Sequence, residues 1–222
     1  MVLVVSDVHC EEGKRNVATF ERIVHEHSPD VIFGLGDWGD CKDYNFIQGQ
    51  VITVYGNHDN VEELRKRSLL LDGEKVNVER MSVGGISGIV SLKGTPTKTG
   101  TPRKKPEEFL EKARRMGPVD LLLMHEAPYM PEVFGRMWRS IGPITALTVL
   151  GIVNPKVLMV GHLHVAPALH ARHRGMHVFH VDTSKGGYLL MDTNAMTVEG
   201  YASGMKIFKV TLENLTTPDA II

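Results

Sequence analysis

Cysteine is scarce in this chain: two residues in 222, Cys10 and Cys41. Two thiols make no disulfide framework, so each is expected as a buried or a reactive thiol in a reducing, cytoplasmic setting. Long apolar runs are missing too. None approaches the roughly 18–20 residues that a membrane span requires, which argues against a membrane protein. The first residues, Val2-Leu3-Val4-Val5, read as a strand and lack the basic region, long apolar run and cleavage site of a secretory signal. No sign of charge dominates, since 25 Lys and Arg meet 26 Asp and Glu for a formal net charge of -1. A dedicated duplex-DNA binder is usually more basic, so no extended duplex footprint is expected; a nucleotide or a short nucleic-acid end stays open as substrate. The rest, 42% hydrophobic and 23% charged residues, fits one globular domain over residues 1–222 with a sizeable core. Histidine is plentiful, with 11 residues. It is the commonest side-chain metal ligand, so its placement matters more than its number.

The order of elements predicts an α/β fold. Val2 to Val5 is a strand. Residues 14–27 set Val17, Phe20, Ile23 and Val24 at helical spacing, and Ser28-Pro29-Asp30 stops that helix. Val31 to Leu35 is the next strand, which makes a right-handed βαβ unit with parallel strands. Val51 to Tyr55 follows, then a polar helix over 60–67 and broken strands over 75–79 and 81–90. Residues 92–106 are a loop with five basic residues and no acidic one. A helix is expected over 107–116, a strand over 119–124, a partly helical apolar stretch over 131–150 and a strand over 157–160. Short strands then dominate: 167–171, 176–181, 187–192, 196–201 and 206–211. Residues 216–222 are expected to fray.

Five of the apolar runs end in residues that bind metals. They deliver Asp7 and His9, then Asp37, Asn57, His125, and finally His162 and His164. A carboxylate where a buried strand meets a loop packs poorly but suits a cation in a cleft at the carboxyl edge of a sheet. Oxygen and imidazole ligands without thiolate suit Mn, Fe, Zn, Co or Ni and exclude a structural Cys-type zinc site. Alternate residues of an extended segment share a side, so Asp7 and His9 can serve one ion. His162 and His164 can be handed to two adjacent ions, and the two oxygens of Asp37 can bridge them. Asn57 offers a neutral amide oxygen.

The ordered set Asp7-x-His9, Gly36-Asp37-x-x-Asp40, Gly56-Asn57-His58-Asp59, His125 and Gly161-His162-x-His164 resembles the calcineurin-like metallophosphoesterase superfamily, in its small, compact form. Each piece alone is weak; the order, each piece after an apolar run, is specific and spans residues 7 to 164. The resemblance implies a four-layer αββα sandwich of two mixed β-sheets flanked by helices. It implies two divalent metal ions, Mn first among them, with Fe, Zn, Co, Ni or Mg as alternatives. Asp7, His9, Asp37 and His164 would bind one ion; Asp37, Asn57, His125 and His162 would bind the other, with a hydroxide bridging the pair. His58 is the expected proton donor to the leaving oxygen. Asp40 takes the family position that orients that ring, or else is a turn-forming carboxylate. Asp59 is expected to cap the helix that follows it.

The implied activity is hydrolysis of a small phosphate ester or nucleotide: a phosphodiester, or alternatively a phosphomonoester or cyclic nucleotide. Two rivals keep the same fold. One is a catalytically weak docking scaffold, as in the retromer subunit of this fold; the other is a nuclease acting on single-stranded ends. Purple acid phosphatases match poorly, because they need Tyr where this chain has Asp40. A homo-oligomer is compatible with all of this. Several signals keep two readings each. His170, His173, His177 and His180 are a surface hairpin or a second metal site. Loop 92–106 is solvated or a phosphate-attracting rim. Trp38 packs beneath the loop or stacks on a base. Met130, Met137 and Trp138 are core or substrate wall. Ser184-Lys185-Gly186-Gly187 departs from the Asn/Pro-Gly-Ser turn frequent in the family.

Overall fold

The structure, a computed structural model, describes residues 1–213; the segment expected to fray lies outside the described residues. Two sheets organise it. The first holds β1 (Val2–Val5), β2 (Val31–Gly34), β3 (Val51–Thr53), β4 (Leu69–Leu70), β11 (Gly187–Asp192), β12 (Thr197–Ala202) and β13 (Met205–Thr211). Their spatial order is β13-β12-β11-β1-β2-β3-β4. The second holds β5 (Glu74–Val78), β6 (Met81–Ile86), β7 (Leu121–Met124), β8 (Val157–Val160), β9 (Ala168–His173) and β10 (Met176–Val181), in the order β5-β6-β7-β8-β10-β9. Strands β1 to β4 run parallel, while β11 to β13 pair antiparallel beyond them. In the second sheet β6, β7, β8 and β10 are parallel and the edges β5 and β9 antiparallel. Both sheets are mixed, as expected.

The side chains explain the stacking. In β1, Val2 and Val4 enter the core between the sheets, whereas Leu3 and Val5 pack outward with Phe20 and Ile23 of helix α1 (Lys14–His27). In β7, Leu121 and Leu123 face the other sheet, while Leu122 and Met124 meet helices α3 (Pro106–Met116) and α5 (Ile141–Val153). Such strands are apolar on both faces because both faces are covered. Each fully buried Leu or Val contributes about 1.5–3 kcal/mol relative to exposure. The result is the four-layer αββα sandwich. Two short helices, α2 (Val61–Arg67) and α4 (Pro131–Phe134), complete it.

Two expectations need correction, and one element was not expected. Cys10 and Cys41 are not thiols: they form a disulfide, with Cα atoms 6.2 Å apart. The loops after β1 and β2 run side by side, with Cys10 N–H donating to the Trp38 carbonyl at 2.9 Å, and this brings the sulfurs together. Cysteine usage therefore no longer argues for a reducing compartment. Asp59 does not cap α2; Asn60 does, accepting from Glu63 N–H at 3.3 Å. Strand β4 was invisible in the sequence because it is a two-residue ladder at the sheet edge. Among the described residues, no helix is long and apolar enough to cross a membrane.

Candidate metal centre

The parallel strands of both sheets deliver their carboxyl ends to one edge. From the first sheet come Asp7 and His9 after β1, Asp37 after β2 and Asn57 after β3. From the second come His125 after β7 and His162 and His164 after β8. Asp7, His9, Asp37, His162 and His164 all have φ between 49 and 71°. Left-handed backbone is uncommon outside glycine and costs on the order of 1–3 kcal/mol per residue, so its concentration here marks a site held in place by its surroundings. It also amends the reading of Asp-x-His as an extended segment. Asp7 and His9 turn back instead, with Asp7 N–H on the Gly36 carbonyl and His9 N–H on the Asp37 carbonyl, each at 3.0 Å. Gly36, at φ 91°, permits this crossing: a Cβ there would stand 2.6 Å from Gly56 N and 2.8 Å from His125 Nδ1.

The side chains form two clusters. In one, Asp7 Oδ1 stands 3.8 Å from His9 Nε2 and 3.7 Å from His164 Nε2. In the other, His125 Nε2 lies 3.3 Å from Asp37 Oδ2, 3.2 Å from Asn57 Oδ1 and 3.1 Å from His162 Nδ1. Asp37 joins them, its Oδ2 also 3.9 Å from His9 Nε2. Its other oxygen accepts from Asn57 N–H at 2.6 Å and His58 N–H at 2.8 Å, which fixes the carboxylate plane.

Three imidazoles are oriented from behind. His125 Nδ1–H donates to the Leu35 carbonyl at 2.8 Å, His9 Nδ1–H to Glu11 at 3.1 Å and His164 Nδ1–H to Asp182 at 2.8 Å. With the proton on Nδ1, each Nε2 lone pair points into the cluster, as a metal ligand requires. Electrostatics agrees. Burial works against charge on His9 and His125, yet Asp7, Glu11 and Asp37 hold the first near 11, and chiefly Asp37 holds the second near 10. Burial also opposes the Asp37 carboxylate, but His125 keeps it well below the usual range. A buried anionic field this strong attracts protons or, better, a divalent cation. Asp7 Oδ1 is buried without any hydrogen-bond partner, though Asp7 Oδ2 accepts from Ser6 Oγ at 2.6 Å. An orphaned carboxylate oxygen ringed by imidazole lone pairs fits a divalent ion, so the residues present suit the expected metals.

All seven expected ligands thus meet. His58 stands at the rim with its side chain 47% exposed. Asp40 is exposed, and among the described residues no hydrogen bond or ion pair joins it to His58. The carboxylate nearest that ring is Glu11, 3.8 Å from His58 Nδ1. Sequence reading overlooked Glu11 and Asp182, and it gave Asp59 a capping role that Asn60 holds instead. Asp59 accepts from the N–H groups of Asp37, Gly39 and Gly56 at 2.9, 3.2 and 2.6 Å, bracing the loops after β2 and β3. Burial, then the Asp37 charge, lifts its pKa to about 7. Asp182 had a legible signal, being one more acid at the end of an apolar run, β10. Glu11 had none, because only the turn at His9 brings it back.

Packing decides the readings left open for Trp38, Met130, Met137 and Trp138. Trp38 is buried against Phe20 and donates from Nε1 to Thr53 Oγ1 at 3.0 Å, so it packs beneath the loop. Met130 is core, Met137 half-buried and Trp138 exposed beneath the Arg136 guanidinium. The turn at Ser184-Lys185 lies under the site, Ser184 N–H donating to the Asp7 carbonyl at 3.1 Å. His170, His173, His177 and His180 sit on the β9–β10 hairpin, His170 Nε2 and His177 Nδ1 being 3.1 Å apart. His180 is buried with neither ring nitrogen partnered. Burial pushes its pKa down to about 4. Below about pH 6.5 the unfolded chain takes up a proton that the folded chain refuses, so this residue lowers stability as pH falls from 6.5 towards 4. His180→Leu is expected to stabilise by about 1–3 kcal/mol and to flatten that acid-side fall, read by urea unfolding between pH 4.5 and 7.5.

A family model for calcineurin-like phosphoesterases matches residues 1–166. No curated protein matches the chain by sequence. Among solved structures, TT1561 of Thermus thermophilus is 16% identical, covering 90% of this chain and 97% of that one, with a TM-score of 0.66. Vps29 from Entamoeba histolytica, as a single mutant, is 14% identical, covering 94% and 97%, with a TM-score of 0.53. A novel archaeal phosphodiesterase is 11% identical, covering 90% and 98%, with a TM-score of 0.50. At such identities these neighbours speak for the fold alone; the family match supplies the rest, and the chain belongs to the calcineurin-like phosphoesterase family.

Proposed function

We propose that this protein is a dinuclear, metal-dependent hydrolase of small phosphate esters, with phosphodiesters as its first substrates, formed by one metallophosphoesterase domain over residues 1–222. The observation that carries this reading is the pair of ligand clusters joined by Asp37 around the orphaned Asp7 Oδ1. Asp7, His9, Asp37 and His164 would hold one divalent ion; Asp37, Asn57, His125 and His162 would hold the other. Mn is the first choice, and Fe, Zn, Co, Ni and Mg suit the same donors. When bound, two such ions supply an activated water and Lewis-acid neutralisation of the phosphoryl oxygens.

The chain's own residues do the rest. Asn57 completes a ligand set without adding charge. Glu11, Asp182 and the Leu35 carbonyl keep the His9, His164 and His125 protons on Nδ1. His58, at the rim, gives a proton to the leaving oxygen from Nε2, while Glu11 faces its Nδ1. Asp40 is a weaker candidate for steering His58, since Glu11 lies closer to that ring. A cytoplasmic location belongs to this reading, without support from the paired cysteines.

The test is a panel of phosphomonoesters, cyclic and linear diesters and pyrophosphates, run with Mn, Ni, Co, Zn and Mg. Turnover of bis(p-nitrophenyl) phosphate that depends on added Mn and is abolished by chelation is expected. Two bound metals per chain with no turnover of any ester would overturn the reading in favour of a docking scaffold. Cleavage confined to single-stranded nucleic-acid ends would favour a nuclease.

A further inference from the structure

His162 faces two ways: besides its metal cluster, it lines a cavity of about 560 Å³. That is within the roughly 300–1,000 Å³ of small-molecule sites. Leu92, Ile141 and Pro143 supply apolar walls. Leu92 is 72% and Ile141 37% exposed, so large apolar side chains stand open towards it. Two cations from the basic loop share the wall, Lys93 and Arg103. Arg103 Nε is buried and has no hydrogen-bond partner. Among the described residues, neither cation makes an ion pair.

Lys104 shows by contrast what a structural cation looks like. Buried in the same loop, it pairs with Asp72 at 3.0 Å and bonds Tyr55 Oη at 2.8 Å. The one acid in the cavity wall does not answer Arg103. Glu126 accepts from Val90 N–H at 2.8 Å and, among the described residues, makes no ion pair with either cation.

An unpartnered guanidinium beside a free ammonium matches a doubly charged oxyanion better than a single carboxylate. The geometry points to a specificity pocket: this cavity seats the part of the substrate beyond the scissile phosphate, an apolar or planar body carrying a second phosphoryl group held by Arg103 and Lys93. The inference rests on the phosphoesterase reading and names its substrate class. The second phosphate is bound and not cleaved, so no bond to it changes.

Two chromogenic diesters differing only in that group test it: thymidine 5′-(p-nitrophenyl phosphate) with and without a 3′-phosphate. The Mn-loaded wild type is expected to show a KM about tenfold lower for the 3′-phosphorylated ester, with little change in kcat. Arg103→Gln should erase that difference, whereas Lys98→Gln, a loop cation outside the cavity, should keep it. Calorimetry with thymidine 3′,5′-bisphosphate and 5′-monophosphate on the same proteins, with circular dichroism to verify folding, reads the preference without turnover. Hydrolysis with equal KM for both esters, or equal loss of preference in both variants, overturns the pocket and leaves the phosphoesterase intact. No hydrolysis of either ester, with tighter bisphosphate binding lost only in Arg103→Gln, supports the pocket and removes phosphodiesters from the place of first substrates.

Discussion

Asp37→Asn is expected to abolish most phosphodiester hydrolysis and to empty at least one of two metal positions. Among the described residues, Asp37 is the carboxylate that stands within 4 Å of ring nitrogens in both clusters, 3.3 Å from His125 Nε2 and 3.9 Å from His9 Nε2. An amide keeps the volume, and its oxygen can still accept from Asn57 and His58 N–H. What it loses is the negative charge between two cations. Lewis-acid stabilisation is worth several kcal/mol, so a fall on the order of 10³-fold in kcat/KM is expected. Elemental analysis of the purified variant should find one metal or fewer per chain. Two retained ions with near-normal turnover would remove Asp37 from its bridging role.

His58→Ala is expected to behave differently. The ring is not needed to hold metal, so metal content should match the wild type. Turnover should fall on the order of 10²–10⁴-fold for alkyl esters, whose leaving oxygen needs a proton. For p-nitrophenyl esters the fall should be far smaller, because p-nitrophenolate departs unprotonated. Equal losses on both ester types would mean that His58 acts otherwise. The same assay separates the two carboxylates that compete to orient it. Glu11 lies 3.8 Å from His58 Nδ1 and 3.1 Å from His9 Nδ1. Glu11→Gln is therefore expected to cost about 10–100-fold, whereas Asp40→Asn, at an exposed position, should stay within about twofold.

The contrast between Glu11 and Asp40 shows where a sequence stops speaking. Strands were legible because β1 and β7 are covered on both faces and write that as unbroken apolar runs. The chemistry-bearing residues were legible because each follows such a run, and a parallel sheet gathers the run ends at one edge. Of the side chains that act from behind the ligands, Asp182 ends such a run, but Glu11 and Asp59 do not. Glu11 reaches His9 through a left-handed turn, and Asp59 braces the Asp37 loop through three backbone donors; neither arrangement has a periodicity to read. The Cys10–Cys41 bond escaped for a related reason. A count of two cysteines says nothing about two loops lying side by side, and only the tertiary crossing at Gly36 puts them there.

The division of ligands between the sheets has a mechanical meaning. Four come from the loops of one sheet and three from those of the other, while the core between the two sheets is built of apolar side chains. Cations seated among them would act as rivets through both plates at a single margin. Stripping the metal would then loosen that margin first and leave the apolar core between the sheets in place.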